Sequence, residues 1–318
     1  MAQRFNERGE VDMTVSIVMT TYNGEEHVEE QLQSLLNQSL KANEVLIYDD
    51  GSTDNTFNII RKFIASNDLS DSWKLIQNKE NKGWKRNFME GIWKAKGDYI
   101  FPCDQDDIWY DNKLEKMIKI MESHQQINLL VSDFEYMYGE KKVRNKPLDE
   151  ENSKLEKVEL TKHWLRVDFP GCVFCIRRSM AQKSKNYYNA EYAHDDFFWR
   201  IGLFEQSLYI LHDELIGHRV YKESTFSKEV LQLKTRSKKI EWLDLSINCC
   251  KSLMKMLNDD NNVGKESNLI VDTKQALNLR RKFYQTKNPI YGIMLIRYLS
   301  NYQFKKQYLG DWFFIYFR

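Results

Sequence analysis

A chain of 318 residues with 42% hydrophobic and 13% aromatic content can bury a sizeable core, which excludes a disordered tract. Its 47 basic against 46 acidic side chains leave a net charge of +1, so the broad basic footprint of a general nucleic-acid binder is missing. The five cysteines, at 103, 172, 175, 249 and 250, form no pair of CxxC motifs and read as buried thiols in a reducing, cytosolic setting. Residues 1–13 read as a polar N-terminal tail without the apolar stretch of a signal peptide. No run reaches the ~18 apolar residues of a membrane span.

The first strand is expected at Val15 to Met19, ending in the polar turn Thr20-Thr21-Tyr22-Asn23-Gly24. Residues 25–38 follow with helical spacing, Val28, Leu32, Leu35 and Leu36 on one side. Glu44 to Tyr48 reads as a second strand, ending in Asp49-Asp50-Gly51-Ser52, where Ser52 or Asp54 can cap the next helix. Trp73 to Gln77 is a third strand, followed by the loop Asn78 to Gly83 and a helix running to about Lys96, which Gly97 ends. Tyr99 to Cys103 is the fourth. Strands alternating with helices predict a parallel sheet flanked by helices, in which each polar turn falls at a strand's C-terminal end. Four polar clusters far apart in sequence then converge on one rim, where open α/β sheets bind ligands.

The fourth of these clusters is Asp104-Gln105-Asp106-Asp107-Ile108-Trp109, three carboxylates within four residues. Carboxylates this dense repel one another unless a cation or solvent separates them. Mg²⁺ or Mn²⁺ held by Asp104 and Asp106, with a diphosphate on its far side, is one explanation. A solvated loop capping the helix after Trp109 is the other, and the tripeptide alone does not separate them. The convergence of the strand-end turns favours a site. No Gly-x-Gly-x-x-Gly follows the first strand and no Gly-Lys-Ser/Thr loop occurs, which removes dinucleotide and P-loop sites. An aspartyl phosphatase would place Thr or Val where Ile108 stands.

Beyond the cluster, a helix carries Leu114, Met117, Ile118 and Met121, and strands are expected at Leu129 to Val131 and Phe134 to Tyr138. Residues 139–159, charged and containing Pro147, read as an exposed hairpin or loop. Phe169-Pro170-Gly171 leads into a strand from Cys172 to Ile176, and Gly171 would permit close approach of a ligand. His194-Asp195-Asp196 opens a helix; the acids suit the positive end of its dipole, and one of them can also serve as a general base. A short strand, Leu208 to Leu211, precedes Leu215 to Tyr221, where His218 and Arg219 could touch metal or phosphate. From about Lys228 glycine nearly vanishes, and Ile240, Leu243, Ile247, Cys250, Met254 and Leu257 form the seam of a long helix. Asp259 to Glu266 is a polar break, and a second helix covers 268–286. The end mixes Tyr, Trp and Phe with Lys and Arg and closes on Trp312 to Phe317. It reads as helices docking on the catalytic domain or on a second subunit, with peripheral membrane contact.

In order along the chain, Val15 to Gly24, Asp49 to Asp54, Asn81-Lys82-Gly83, Gly97-Asp98-Tyr99, Asp104 to Trp109 and His194-Asp195 resemble the family 2 glycosyltransferases of the GT-A fold. The resemblance covers roughly residues 14–225, and its Asp-Gln-Asp-Asp-Ile-Trp form looks like rhamnosyltransferase-like members acting on bacterial surface polysaccharides. It implies an α/β fold with a Rossmann-like, mostly parallel central sheet over 14–227 and a helical region over 228–318. It implies an inverting, Mn²⁺- or Mg²⁺-dependent transferase that moves a sugar, from dTDP-rhamnose or a UDP-hexose, to a glycan, lipid-linked glycan or glycoprotein hydroxyl. By that likeness Thr20, Tyr22, Asn23, Asp49, Asp50, Asn81, Lys82, Asn87, Asp104 and Gln105 lie on the nucleotide-sugar side. Asp106, Asp104 and His218 hold the metal, and Asp195 is the base. Gly171, Asp107, Trp109 and Asp196 lie on the acceptor side. Many relatives carry Tyr-Arg-x-His after the base; here His218-Arg219-Val220-Tyr221 reverses the aromatic and the histidine. The expected place is the cytoplasm, peripherally at the inner face of the cell membrane, with a homodimer as a further expectation.

The chemistry implied is direct displacement. Negative charge grows on the leaving diphosphate, where a cation stabilises the transition state more than the ground state. The acceptor alcohol is a poor nucleophile and needs a base on the opposite face. Two rival classes remain at this point: a sugar-nucleotide pyrophosphorylase, whose Gly-rich N-terminal loop is missing from Met19 to Glu25, and a non-catalytic sugar-nucleotide-binding module.

Overall fold

The computed structural model describes residues 13–138, 141–143, 154–220, 235–261 and 264–317. These fall into two compact units: one built from the chain up to residue 158 with 168–186 and 190–221, the other from 159–167, 187–189 and residues from 222 onward.

The first unit holds a mixed α/β sheet, ten-stranded among the described residues. Strands β1 (Val15–Thr21), β2 (Glu44–Asp49), β3 (Trp73–Gln77) and β4 (Tyr99–Cys103) run parallel in the order β3-β2-β1-β4. β1 and β4 are buried at every position, which is why neither alternates apolar with exposed polar residues. Between these strands lie α1 (Val28–Leu36), α2 (Thr56–Ser66) and α3 (Trp84–Lys94). The N-cap of α2 is Asn55 rather than Ser52 or Asp54 and has no side-chain cap; Asp54 accepts the Thr56 N–H at 3.0 Å and Ser52 donates to Asp49. Gly97 is required by close approach: its N–H donates to Ser16 Oγ at 2.7 Å, and a Cβ there would overlap the β1 backbone.

After β4 come β5 (Ile108–Trp109), α4 (Lys113–Ser123), β6 (Leu129–Tyr138), β7 (Lys141–Val143), β8 (Leu155–Lys157), β9 (Phe174–Arg177), α5 (Arg178–Ser184), α6 (His194–Phe204) and β10 (Leu208–Arg219). The parallel reading holds for β1 to β4 and for β6 beside β10. β9 inserts antiparallel between β4 and β6, and β5 pairs antiparallel with β10. Cys172 and Val173, expected as strand, form with Gly171 a single 3-10 turn before β9. Of the expected loop at 139–159, the described parts pair as short antiparallel strands on β6 and β10, and the remainder, with Pro147, lies outside the described residues.

The sequence splits β10 into two strands at His212-Asp213-Glu214, yet the strand is continuous. Its register with β6 shifts between Leu211 and Glu214 and again before Gly217. The polar residues stay in the strand because they are paired: His212 lies between Asp133 (2.9 Å) and Glu156 (3.0 Å), and Asp213 meets Lys116 at 2.8 Å. All five cysteines are free and buried, as expected.

The second unit is helical: α7 (Arg236–Asp259), α8 (Lys265–Thr286), α9 (Pro289–Met294), a 3-10 stretch Leu295–Asn301 and α10 (Lys305–Phe317). The α7 seam departs from strict 3-4 spacing. Leu253 and Met256 are buried where Met254 was expected, and Ser246 and Cys249 widen the stripe. A straight helix of about 3.6 residues per turn drifts from a 3.5 repeat in this way. Residues 159–167 and 187–189 join this unit although they precede the expected boundary at 227/228, because Trp164 Nε1 donates to Thr273 at 3.0 Å and Tyr187 to Asp259 at 3.0 Å. No helix among the described residues is long and apolar enough to cross a membrane.

Candidate active site

The loops after β1, β2 and β3 knit together at one edge of the sheet through buried polar side chains. Asp50, 3% exposed, accepts the backbone N–H groups of Lys82 and Gly83, both at 2.9 Å, and the Asn78 amide at 2.9 Å. Gly83 has φ +81°, a conformation that L side chains resist, and it starts α3. Asn87, also buried, donates to the Tyr48 carbonyl at 3.1 Å and accepts from Asn78 at 2.9 Å. Asp49 accepts from Thr21 and Ser52, and Asn23 accepts the Thr53 N–H at 2.8 Å. Asn81 accepts the Gly83 N–H, and Lys82 Nζ reaches Glu90 at 2.9 Å. The loops thus arrive preorganised. Tyr22, exposed, and Thr20 stand at their rim.

The acidic loop after β4 is fixed from both sides. The Gln105 amide brackets the Tyr22 backbone, accepting its N–H at 2.8 Å and donating to its carbonyl at 3.2 Å. Arg219, from the end of β10, donates through Nε to the Asp106 carbonyl (2.8 Å) and through Nη2 to Glu30 of α1 (2.7 Å). Its guanidinium therefore clamps the loop, leaving the phosphate role expected of it without geometric support. Asp107 is wholly buried; Oδ1 accepts from His218 Nδ1 (2.9 Å) and from the Arg219 N–H (3.0 Å), while Oδ2 has no hydrogen-bond partner. Burial pushes the Asp107 carboxyl up, but the His218 imidazolium and its hydrogen bond outweigh that and hold it below the usual range. Burial alone would lower His218; Asp107, then Asp104 and Asp106, raise it instead to about 9. Asp104 is raised to about 8 by burial and then by the charges of Asp107 and Asp106.

Beneath the loop, Lys113 is fully buried, donates to the Cys172 carbonyl at 2.7 Å and lies 4.2 Å over the Trp109 ring. Burial lowers its ammonium to about 8. Cys172 Sγ is 3.8 Å from His218 Nδ1, and Asp107, Cys172 and His218 bring ligand-type atoms together. Burial raises the Cys172 thiol well above its ordinary value, so it stays a protonated thiol and a poor partner for a hard cation.

The base side is set by α6. Asp195 Oδ1 accepts the Asp196 N–H at 2.7 Å in the first turn. Burial, then the neighbouring Asp196, raises the Asp195 carboxyl to about 7, and the Asp104 carboxyl feels the charge of Asp195. Asp196 pairs instead with Arg200, at 3.2 Å. His194 is buried against Phe88, ring centroids 4.2 Å apart, and burial lowers it to about 3. Gly171 sits directly against the His194 imidazole, where a Cβ would overlap the ring.

Asp107 and His218 therefore meet directly, the charges of Asp104 and Asp106 also act on His218, and Asp195 adds a smaller effect on Asp104. Three acceptor-side expectations are corrected. Asp107 and Trp109 are 0% and 1% exposed, so they support the site from below instead of facing a substrate. Gly171 is likewise buried and makes room for His194. Lys113 and Cys172 were not anticipated. A lysine on the same stripe as Leu114, Met117 and Ile118 was the available signal for the first; nothing in the sequence pointed to the second.

Comparison with known proteins agrees with this geometry. The profile of glycosyl transferase family 2 matches residues 16–184. An uncharacterized glycosyltransferase of Rickettsia typhi is 30% identical over 69% of this chain and 68% of its own length. WfgD of Escherichia coli, a UDP-Glc:alpha-D-GlcNAc-diphosphoundecaprenol beta-1,3-glucosyltransferase, is 35% identical over 42% of this chain and 48% of its own. EpsE of Bacillus subtilis, named as a glycosyltransferase, is 38% identical over 36% of this chain and 41% of its own, so the match spans less than half the length of these last two relatives. Among solved structures, TarS 1–349 of S. aureus in complex with UDP-GlcNAc superposes with a TM-score of 0.62 at 18% identity, covering 95% of this chain and 82% of that one. GalNAc-T7 with UDP, GalNAc and Mn²⁺ gives 0.52 at 14% identity over 71% and 49%. Both likenesses concern the GT-A fold alone. With the family profile covering more than half of the chain and the Rickettsia relative aligned over two thirds of it, this protein belongs to glycosyl transferase family 2.

Proposed function

We propose that the chain transfers a sugar from a nucleoside-diphosphate sugar to a hydroxyl of a lipid-linked or polymeric bacterial glycan, with inversion at the anomeric carbon. The observation that carries the reading is the acidic loop after β4, held by Gln105 on the Tyr22 backbone and by His218 and Arg219 of β10, with Asp195 in the first turn of α6, where burial raises its carboxyl to about 7. A base poised near neutral pH is what an alcohol nucleophile needs. Asp195 would take the acceptor proton, and Asp196, paired with Arg200, would keep Asp195 oriented. Thr20, Tyr22, Asn81 and Lys82 would line the nucleotide side. Asp49, Asp50, Asn87, Asn23 and Gln105 would hold those loops in place.

The acidic cluster fits a hard divalent cation. Asp104 is raised by burial and then by the charges of Asp107 and Asp106, three carboxylates within four residues at the end of β4. Asp104 and Asp106 would hold Mn²⁺ or Mg²⁺, with His218 oriented through Nδ1 by Asp107 as a third candidate. When bound, the cation would stabilise charge developing on the departing diphosphate. A UDP-linked hexose is the favoured donor, because TarS was solved with UDP-GlcNAc and WfgD uses UDP-Glc. dTDP-rhamnose, suggested by the form of the acidic motif, is the second reading.

Nucleoside-diphosphate release from a panel of UDP- and dTDP-sugars, with and without Mn²⁺, tests the proposal. Turnover of one donor that falls roughly 10²-fold or more in Asp195→Asn supports it. Full turnover in that variant, or no donor accepted, contradicts it.

A further inference from the structure

The second unit carries a surface for which sugar transfer has no use. In α10 one face packs inward. Trp312 lies 4.9 Å from Phe283, Tyr316 donates to the Lys287 carbonyl at 2.6 Å, and Tyr308 donates to the Gly292 carbonyl at 3.0 Å. At the centre of that face Asp311, 2% exposed, accepts from Arg280 through both oxygens (2.6 and 2.7 Å), from Tyr284 (2.6 Å) and from Tyr302 (2.9 Å). A buried carboxylate with four donors locks the helix to α8 in one rotational setting. The face turned outward by that lock is apolar. Leu309, Phe313 and Phe317, four residues apart, are 66%, 62% and 77% exposed, and the last two rings stack at 5.6 Å. The neighbouring segment adds Ile290, Ile293 and Ile296, each more than half exposed.

Charge on the same stretch is one-sided. Between residues 287 and 317 the sole acid is Asp311, which is buried, whereas Lys287, Arg297, Lys305 and Lys306 are all exposed. The chain as a whole is balanced at 47 to 46, so this surface is segregated from the rest. Exposed aromatic and aliphatic side chains in a stretch whose exposed charges are all cationic match the boundary between headgroups and acyl chains of an anionic bilayer. A symmetric pairing of two copies through this face would set like charges near one another, which disfavours self-association.

We propose that the outward face of residues 289–317 docks on an anionic lipid surface. Leu309, Phe313 and Phe317 enter the interfacial zone, and Lys305, Lys306 and Arg297 meet the phosphates. The inference does not depend on which sugar is transferred, or on transfer itself.

Flotation of the full chain with vesicles of phosphatidylcholine alone, or mixed with phosphatidylglycerol, tests it. Binding to the anionic vesicles is expected, weakened at least about tenfold by Lys305→Glu with Lys306→Glu and by Leu309→Asp with Phe313→Asp. The lysine pair is exposed, so its variant keeps the fold, which a melting curve checks. Three results would overturn the proposal: no binding to anionic vesicles, binding indifferent to both double variants, or a dimer seen by light scattering that the same substitutions dissolve while vesicles remain unbound.

Discussion

Changing Asp195 to Asn removes the proton acceptor while keeping the size and the hydrogen bond to the Asp196 N–H that fix the first turn of α6. The carboxyl is raised to about 7, chiefly by burial and secondly by Asp196. The working form is the carboxylate, so activity is lost as the proton goes on. One pH unit below that value only about a tenth of the molecules hold the carboxylate, and kcat/KM should fall about tenfold per unit on the acid side. Asp195→Asn should lower turnover by roughly 10²–10⁴-fold, or about 3–5 kcal/mol of barrier, and abolish the acid limb near 7. Asp196→Asn removes one of the charges that raise Asp195, so its limb should move to lower pH while turnover persists. The sign for stability is opposite. A carboxyl whose folded value lies above its unfolded one binds its proton more tightly when folded, so it costs stability as pH rises from about 4 toward 7. Asp195→Asn should therefore lose turnover without losing melting temperature at neutral pH. Nucleoside-diphosphate release across the pH range, with melting curves alongside, measures all of this. An unchanged acid limb in Asp195→Asn would refute the assignment of the base.

Gly171→Ala drives a methyl into the His194 imidazole, which is packed against Phe88, and should cost ~1–3 kcal/mol by overpacking. An unchanged denaturation midpoint would mean that the loop before β9 yields more easily than its packing implies. Arg280→Ala leaves Asp311 buried with two tyrosine hydroxyls as its remaining donors and should cost ~3–5 kcal/mol. Denaturant unfolding of the second unit measures it, and a loss under about 1 kcal/mol would show that the lock on α10 is not what holds that helix.

The sequence made the N-terminal half of the sheet legible because β1 and β4 are buried along their whole length and each ends in a polar turn. Asp104 and Asp195 could be singled out as charged groups at a strand end and a helix start. The pairing of Asp107 with His218 could not, because the partners are 111 residues apart and meet only once β10 closes beside β6 and β5. For the same reason Gln105 read as a ligand contact, although its amide is spent on Tyr22, 83 residues earlier. Trp109 and Asp107 looked exposed in a run of acids. β5 instead pairs with the later part of β10, and both residues are buried there. The continuity of β10 through His212-Asp213-Glu214 was hidden because local polarity signals a break, whereas polar partners from three other segments hold His212 and Asp213 in the strand.

The central claim is that the acidic cluster after β4 holds a nucleoside diphosphate through a divalent cation. Calorimetric titration of UDP into the protein with Mn²⁺ and then with the metal chelated, for the wild type and for Asp106→Ala, tests it most directly. The account predicts binding in the wild type that depends on Mn²⁺ and is lost in Asp106→Ala, whose melting curve stays that of the wild type. Equal affinity with and without the metal, or undiminished metal-dependent affinity in Asp106→Ala, would contradict it.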